Sequence, residues 1–211
     1  DGGGRLVLCH PVPGQIPDLP AMRARYRDQG LSEQEAPEDP VLLFATWFTD
    51  ATASGIAEPN AMVLATVGED GWPQARTVLL KGFAAEGLRF FTHTGSAKGR
   101  AMARDDRVAL LFPWHPIGRQ VRVAGVAQLL PEQEVAAYFA TRPRDSQLGA
   151  WASPQSQVVG GRAELERRLA EAEARFPEGT PVPVPPGWGG YRVEPVEWEF
   201  WVGRSGRLHD R

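Results

Sequence analysis

Four groups of side chains in this sequence have the types and spacing to bind anions or exchange protons. In Gly95-Ser-Ala-Lys98, Ser96 is placed to cap a helix whose first backbone N–H groups are unpaired, and a hydroxyl, a lysine and free amides together attract phosphate. Arg76, on an upstream strand, can reach the same anion. Tyr138 and Arg142 lie four apart across a helix end and share a face; with Ser146 they offer a guanidinium fork, a phenol and a hydroxyl for a phosphate monoester. Gln155-Ser156 is polar and neutral, suited to phosphate oxygens or the edge of a heterocycle. Arg207 and His209 alternate, so an extended segment turns both to one side, and such a pair suits a negatively charged, proton-exchanging ligand.

Each group also has a plainer reading: solvated cations on an amphipathic hairpin, helix-end arginines meeting carbonyls or water, a surface histidine near a terminus. His93 and His115 receive no role, and no histidine–carboxylate spacing matches a metal site. There is no G-x-S-x-G elbow, P-loop or dinucleotide fingerprint, and Gly187-Trp-Gly-Gly190 stands in the wrong context for the last.

The elements that must position these residues follow from pattern. Residues 1–21, with four prolines and four glycines in the first twenty, read as a flexible leader, and 22–211 as a single domain. Met22–Tyr26 is a short basic piece. Asp39-Pro40 starts a helix with Val41, Phe44, Trp47, Phe48 and Ala51 on one face and Gly55 at its end. Ala61–Val67 is a strand, Gly68–Gly71 a turn, Arg76–Lys81 a strand, and Leu88–Thr92 its hairpin partner across a loop of four to five residues. A short helix runs from Ser96 to Ala103. Strands follow at 108–112 and 120–127, the latter bent at Gly125. Helices are expected from Pro131 to Thr141 and from Arg162 to Phe176, with an aperiodic loop over 142–159 between them. Pro181–Pro186 is an extended connector, and two late strands cover 191–193 and 198–202. Five or six strands, mostly antiparallel, make a β-barrel with added helices.

Composition narrows the classes. The 211 residues are 42% hydrophobic and 23% charged with a net charge of −3, which gives no reason to expect nucleic acid or an anionic membrane as partner. No apolar run approaches the ~20 residues of a membrane span. A single cysteine, Cys9, excludes an internal disulfide and fits a reducing cytoplasm. Seven tryptophans are compatible with a cavity for a flat ligand or with core packing.

Taken in order, these pieces resemble the pyridoxamine 5′-phosphate oxidase family. The resemblance rests on AMVLATV (61–67), RTVLLK (76–81), FFTHTGSAKG (90–99), LLFPWH (110–115), RQV (119–121), RPRDSQLGAWAS (142–153), PPGWGGYRV (185–193), EFW (199–201) and RLHDR (207–211). It implies a mainly β, split-barrel homodimer with added helices and with FMN in the clefts between subunits. By resemblance, Arg76, Lys98, Gln155 and Ser156 hold the FMN phosphate. Thr77, Val78, Leu79, Leu80, Lys81, Phe91 and Thr92 run beside the flavin, and Gln120, Trp201 and Arg211 make its other contacts. Lys81, Tyr138, Arg142 and Ser146 grip the substrate phosphate. Arg207 and His209 are the catalytic pair over the pyridine ring, and Arg23 and Tyr26 belong to a piece closing over the substrate. The implied reaction oxidises pyridoxine or pyridoxamine 5′-phosphate to pyridoxal 5′-phosphate and reduces O2 to hydrogen peroxide. Two departures stand out: Ala97 replaces an arginine common beside the lysine, and the sequence stops at Arg211 where the family continues into a further strand. Rival readings are a dihydrophenazine-type flavin oxidase, a deazaflavin-dependent reductase and a non-catalytic flavin- or pyridoxal-phosphate-binding protein.

Overall fold

The computed structural model describes residues 30–34 and 36–211. The expected leader, Arg23 and Tyr26 lie outside the described residues. Helix α1 (Pro40–Ala53) starts as its sequence requires: the Asp39 side chain accepts from Val41 N at 2.8 Å, proline occupies the first turn, and Gly55 leaves the helix at φ +82°. Its buried face is Phe44, Trp47 and Ala51. Phe44 meets Phe83, Phe112, Trp114 and Trp198, so α1 plugs the sheet with rings.

Among the described residues seven strands form: β1 (Ala61–Val67), β2 (Pro73–Leu79), β3 (Gly82–Ala84), β4 (Gly87–His93), β5 (Arg107–Phe112), β6 (Arg119–Leu129) and β7 (Trp188–Val202). They form one sheet in the order β2-β1-β5-β6-β7-β4-β3, antiparallel at every pairing described. β2 and β3 are consecutive in sequence yet stand at opposite ends of that order. Between them Leu80 N donates to Asn60 O beside β1, and the next amide, Lys81 N, donates to Arg89 O on β4. Two adjacent residues therefore stitch the two edges together, and the sheet curls into a half-barrel. Alternate residues fill it: Met62 and Leu64 from β1, Leu110 and Phe112 from β5, Val121 and Val123 from β6.

Several expectations are corrected here. The Arg76 strand ends at Leu79 and pairs with β1, not with the strand after it. The hairpin partner of β4 is the short β3, with Ala84 opposite Gly87, because Gly82 and the barrel closure redirect the chain after Lys81. The two late strands are one 15-residue strand, and the described residues form seven strands rather than five or six. The break that pattern suggested is a bulge: Ala124 faces Glu197 but Gly125 faces Pro195, leaving Val196 extra. Gly125 is where a bend was expected, and a Cβ there would lie 2.3 Å from Glu194 O. Pro195 lacks the N–H that a regular ladder needs, so it fits at this irregularity.

Helices α2 (Ala97–Arg104), α3 (Glu132–Ala140), α4 (Arg144–Ala152) and α5 (Arg162–Arg175) complete the chain. Helix α4 corrects the expected loop over 142–159. It was hidden because only Leu148 and Ala152 are its buried apolar residues, joined by buried Gln147, whose amide donates to Phe139 O at 2.9 Å. That bond ties α4 to the end of α3, while Phe139, Leu148, Ala172 and Val182 form a second small core. No helix among the described residues is long and apolar enough to cross a membrane.

Candidate active site

A cavity of about 670 Å³ opens where β2, β4, the α3–α4 corner and the start of β7 meet. Its size suits small-molecule ligands. Of the residues singled out from the sequence, Thr77, Val78, Leu79, Lys81, Phe91, Thr92, Lys98, Tyr138, Arg142, Ser146 and Gln155 all line it. Strand β2 ends the sheet order, so its outer edge presents backbone groups that no other strand among the described residues uses. Leu80 does not line the cavity: at 4% exposure its side chain belongs to the main core.

The first cationic cluster is built by the start of α2. Ser96, wholly buried, caps the helix by accepting from Gly99 N at 3.3 Å. Lys98 Nζ then reaches Gln155 Oε1 at 3.0 Å, Thr92 Oγ1 at 3.2 Å and Ser96 Oγ at 3.3 Å. All three acceptors are neutral. Burial first, and the Arg76 charge second, pull the Lys98 pKa below its ordinary value. Arg76 is clamped by Leu64 O, Thr66 Oγ1 at 2.7 Å and Gln74 Oε1, and burial lowers its pKa as well. Two half-buried cations held side by side by neutral groups leave positive charge for an anion to neutralise. Arg100 does not stand in for the arginine missing at Ala97, because it is engaged with Glu69 and Gly95 O. Ser156, next to Gln155, is exposed at φ +65° and does not line the cavity.

This arrangement sets stability against binding. Lys98 loses proton affinity on folding, so its burial weakens the fold at neutral pH, and the penalty fades only as pH rises from its lowered value through 10.5. Lys98→Met is therefore expected to leave the melting temperature of the ligand-free protein unchanged or raised. The same change should weaken binding of a phosphate-bearing ligand at this cluster by about 10- to 100-fold, the loss of one charged hydrogen bond. Thermal unfolding and titration with a phosphorylated ligand check the two halves.

The second cluster sits at the α3–α4 corner. Arg142 lies with its Cζ 5.0 Å from the Trp188 ring centre and 5.6 Å from that of Phe139. Its Nη1 is buried without a hydrogen-bond partner. Burial lowers the Arg142 pKa and raises that of Tyr138, whose shift the neighbouring guanidinium opposes. Ser146, Gly149, Ala150 and Ser153 face the same space at i, i+3, i+4 and i+7, the period of α4. Tyr138 stacks on Phe91 with ring centres 3.8 Å apart, and Trp188 lies nearly parallel to both. Gly190 makes room for this wall, since a Cβ there would lie 2.7 Å from Phe91 Cδ1. The sequence reading missed Trp188, His93, Thr141, Pro143, Gly149, Ala150 and Ser153 as lining residues. Only the helical spacing of 146, 149, 150 and 153 could have signalled any of them.

Gln120, Trp201, Arg207, His209 and Arg211 do not line this cavity. Gln120 and Trp201 are cross-strand neighbours on β6 and β7, and the Trp201 ring meets His209 at 4.6 Å. His209 Nδ1 accepts from Arg204 N at 3.0 Å, so the neutral ring carries its proton on Nε2. The extended segment expected for 207–209 is corrected: Ser205–Arg207 is a 3-10 turn in which Gly206 and Arg207 adopt φ +67° and +62°. That turn exposes Arg207 while His209 stays half-buried. Arg211 forms an ion pair with Glu199 and lines a separate groove with Leu31 and Phe200.

Comparison with known proteins identifies the family of the chain. Residues 48–176 match the family described as pyridoxamine 5′-phosphate oxidase, and 188–211 match the pyridoxine 5′-phosphate oxidase C-terminal dimerisation region. The pyridoxine/pyridoxamine 5′-phosphate oxidase of Rubrobacter xylanophilus is 58% identical over 92% of this chain and 89% of its own. That of a Nocardioides species is 55% identical over 92% and 90%. Among solved structures, PhzG from Burkholderia lata 383 in complex with tetrahydrophenazine-1-carboxylic acid superimposes with a TM-score of 0.80 at 32% identity, covering 86% of this chain and 90% of that one. On the extent of these matches, the chain belongs to the pyridoxamine 5′-phosphate oxidase family.

Proposed function

We propose that this chain, as a homodimer, is an FMN-dependent oxidase converting pyridoxine and pyridoxamine 5′-phosphates to pyridoxal 5′-phosphate. The observation that carries the reading is that one cavity is lined by Lys98, with Arg76 beside it but outside the lining, and by Arg142 and Lys81, and that no carboxylate pairs with any of the four among the described residues. Two phosphorylated ligands meeting in one space would satisfy both. A phenazine carboxylic acid would bring a carboxylate but no phosphate to these cations, and the relatives at 55–58% identity, named pyridoxine/pyridoxamine 5′-phosphate oxidases, against 32% for PhzG, favour the vitamin substrate over the phenazine-type reading.

The residues fit FMN. Lys98, Arg76, Thr92 and Gln155, with Ser156 beside them, would hold its phosphate, and the open edge of β2 at Thr77–Leu79 would hydrogen-bond the rim of its ring system. When bound, FMN supplies the hydride acceptor for the C4′ carbon and passes the electron pair to O2, giving hydrogen peroxide. Arg142, Lys81, Tyr138 and Ser146 would fix the substrate phosphate and so set where C4′ lies. The alcohol substrate loses a hydride and a proton to become the aldehyde; the amine loses the same and then exchanges its nitrogen for water's oxygen, releasing ammonia. Gln120, Trp201, Arg207, His209 and Arg211 would reach the site from the partner subunit, since four of the five lie in the segment matching the dimerisation region. In that position Arg207 would favour charge development at C4′ and His209 would orient the ring, neither acting as an obligatory base.

The test is direct. Purified protein reconstituted with FMN should be yellow, bleach when pyridoxine 5′-phosphate is added without oxygen, and recover its colour with peroxide release when air is admitted. A yellow sample that binds the substrate but never bleaches would be a carrier rather than an oxidase.

A further inference from the structure

We infer that Trp188 is a positioning residue that makes the enzyme select phosphorylated substrates, by holding the Arg142 guanidinium against its indole face. This deepens the functional reading above and rests on Arg142 being the substrate-phosphate grip. A buried arginine is commonly oriented by a carboxylate, but that partner would neutralise the charge and occupy the N–H donors. Arg142 has no such partner among the described residues, and its contacts are the π-faces of Trp188 and Phe139. An aromatic face attracts the cation without accepting its in-plane hydrogens. The guanidinium is thus placed while its charge and its buried Nη1 donor stay uncommitted.

Trp188 is itself held from three directions. Its backbone N donates to Pro185 O at 3.1 Å, and it faces His93 in register at the start of β7. The Phe139 ring meets it edge-on at 4.8 Å and 71°. Tyr138, also in the proposed phosphate grip, lies within 5° of its plane. One indole therefore sets the planes of both the phenol and the guanidinium, whereas it reaches the Lys98 cluster only indirectly, through Phe91 and His93.

The experiment compares the FMN-loaded parent, Trp188→Leu and Trp188→Phe on pyridoxine 5′-phosphate and on unphosphorylated pyridoxine. Trp188→Leu should raise KM for the phosphate ester about tenfold, in line with loss of a desolvated cation–π contact, and leave kcat within about twofold. Its kcat/KM for pyridoxine should stay within about twofold of the parent. Trp188→Phe, keeping a smaller π-face, should raise KM only about threefold, and it decides the matter alone if W188L does not accumulate. A parallel fall on both substrates in either variant, or an unchanged KM for the ester, overturns the inference. A parent that oxidises neither substrate instead sinks the functional reading and takes the inference with it.

Discussion

Arg207→Ala is expected to slow anaerobic flavin reduction by pyridoxine 5′-phosphate at least ~100-fold, about 2.7 kcal/mol of barrier. The backbone points to a residue placed for something other than stability. Arg207 is a bulky residue at φ +62°, directly after Gly206 at φ +67°, and a left-handed conformation at a non-glycine position costs on the order of 1–2 kcal/mol. Burial among the described residues does not repay that cost, because the side chain is exposed. A guanidinium held rigidly over a ring contributes by orientation and by favouring charge that develops only as hydride leaves. The loss should therefore appear in the limiting rate of flavin bleaching in stopped flow, with FMN content unchanged. A limiting rate within threefold of the parent would remove Arg207 from the proposed chemistry.

How much of this was readable from the sequence depends on whether the signal was local. Helix α1 was readable to within a residue or two at its end, since its cap, its proline and its 3–4 spacing all lie within sixteen residues. The Lys98 cluster was equally plain, because Ser96 and Lys98 announce a capped helix start and Thr92 precedes it by a few residues. The pairing of β2 was misread because Gly82–Ala84 is too short to register as a strand, and because barrel closure is a property of Asn60 and Arg89, distant in sequence from Leu80. Helix α4 was missed because its stabilising partner is the α3 carbonyl at Phe139, reached by the polar residue Gln147 that pattern assigns to solvent. Trp188 escaped because stacking depends on which ring lies beside which, and Phe91, Tyr138 and Trp188 come from three separate elements.

The two-group layout yields a second prediction with an equally large readout. Trp188, in the cavity wall, and Trp201, beside His209, are thirteen residues apart on the same strand β7, about 40 Å if fully extended. In the proposed arrangement one chain presents half a site at one end of β7 and the other half at the opposite end, and two-fold symmetry can join unlike ends of two chains twice over. Arg142→Ala damages the first half and Arg207→Ala the second, so each homodimer has two defective sites and should retain a few per cent of parental kcat/KM or less, given ~1.5–3 kcal/mol or more per lost charged contact. In a heterodimer of the two variants, purified through two different tags, both lesions fall in one site and the other is intact, so about half the parental activity returns. Were each site built within a single chain, every site in that heterodimer would carry a lesion and activity would stay at the level of the homodimers. Recovery to about half, against none, thus separates a site shared across the subunit boundary from two independent ones without any appeal to relatives.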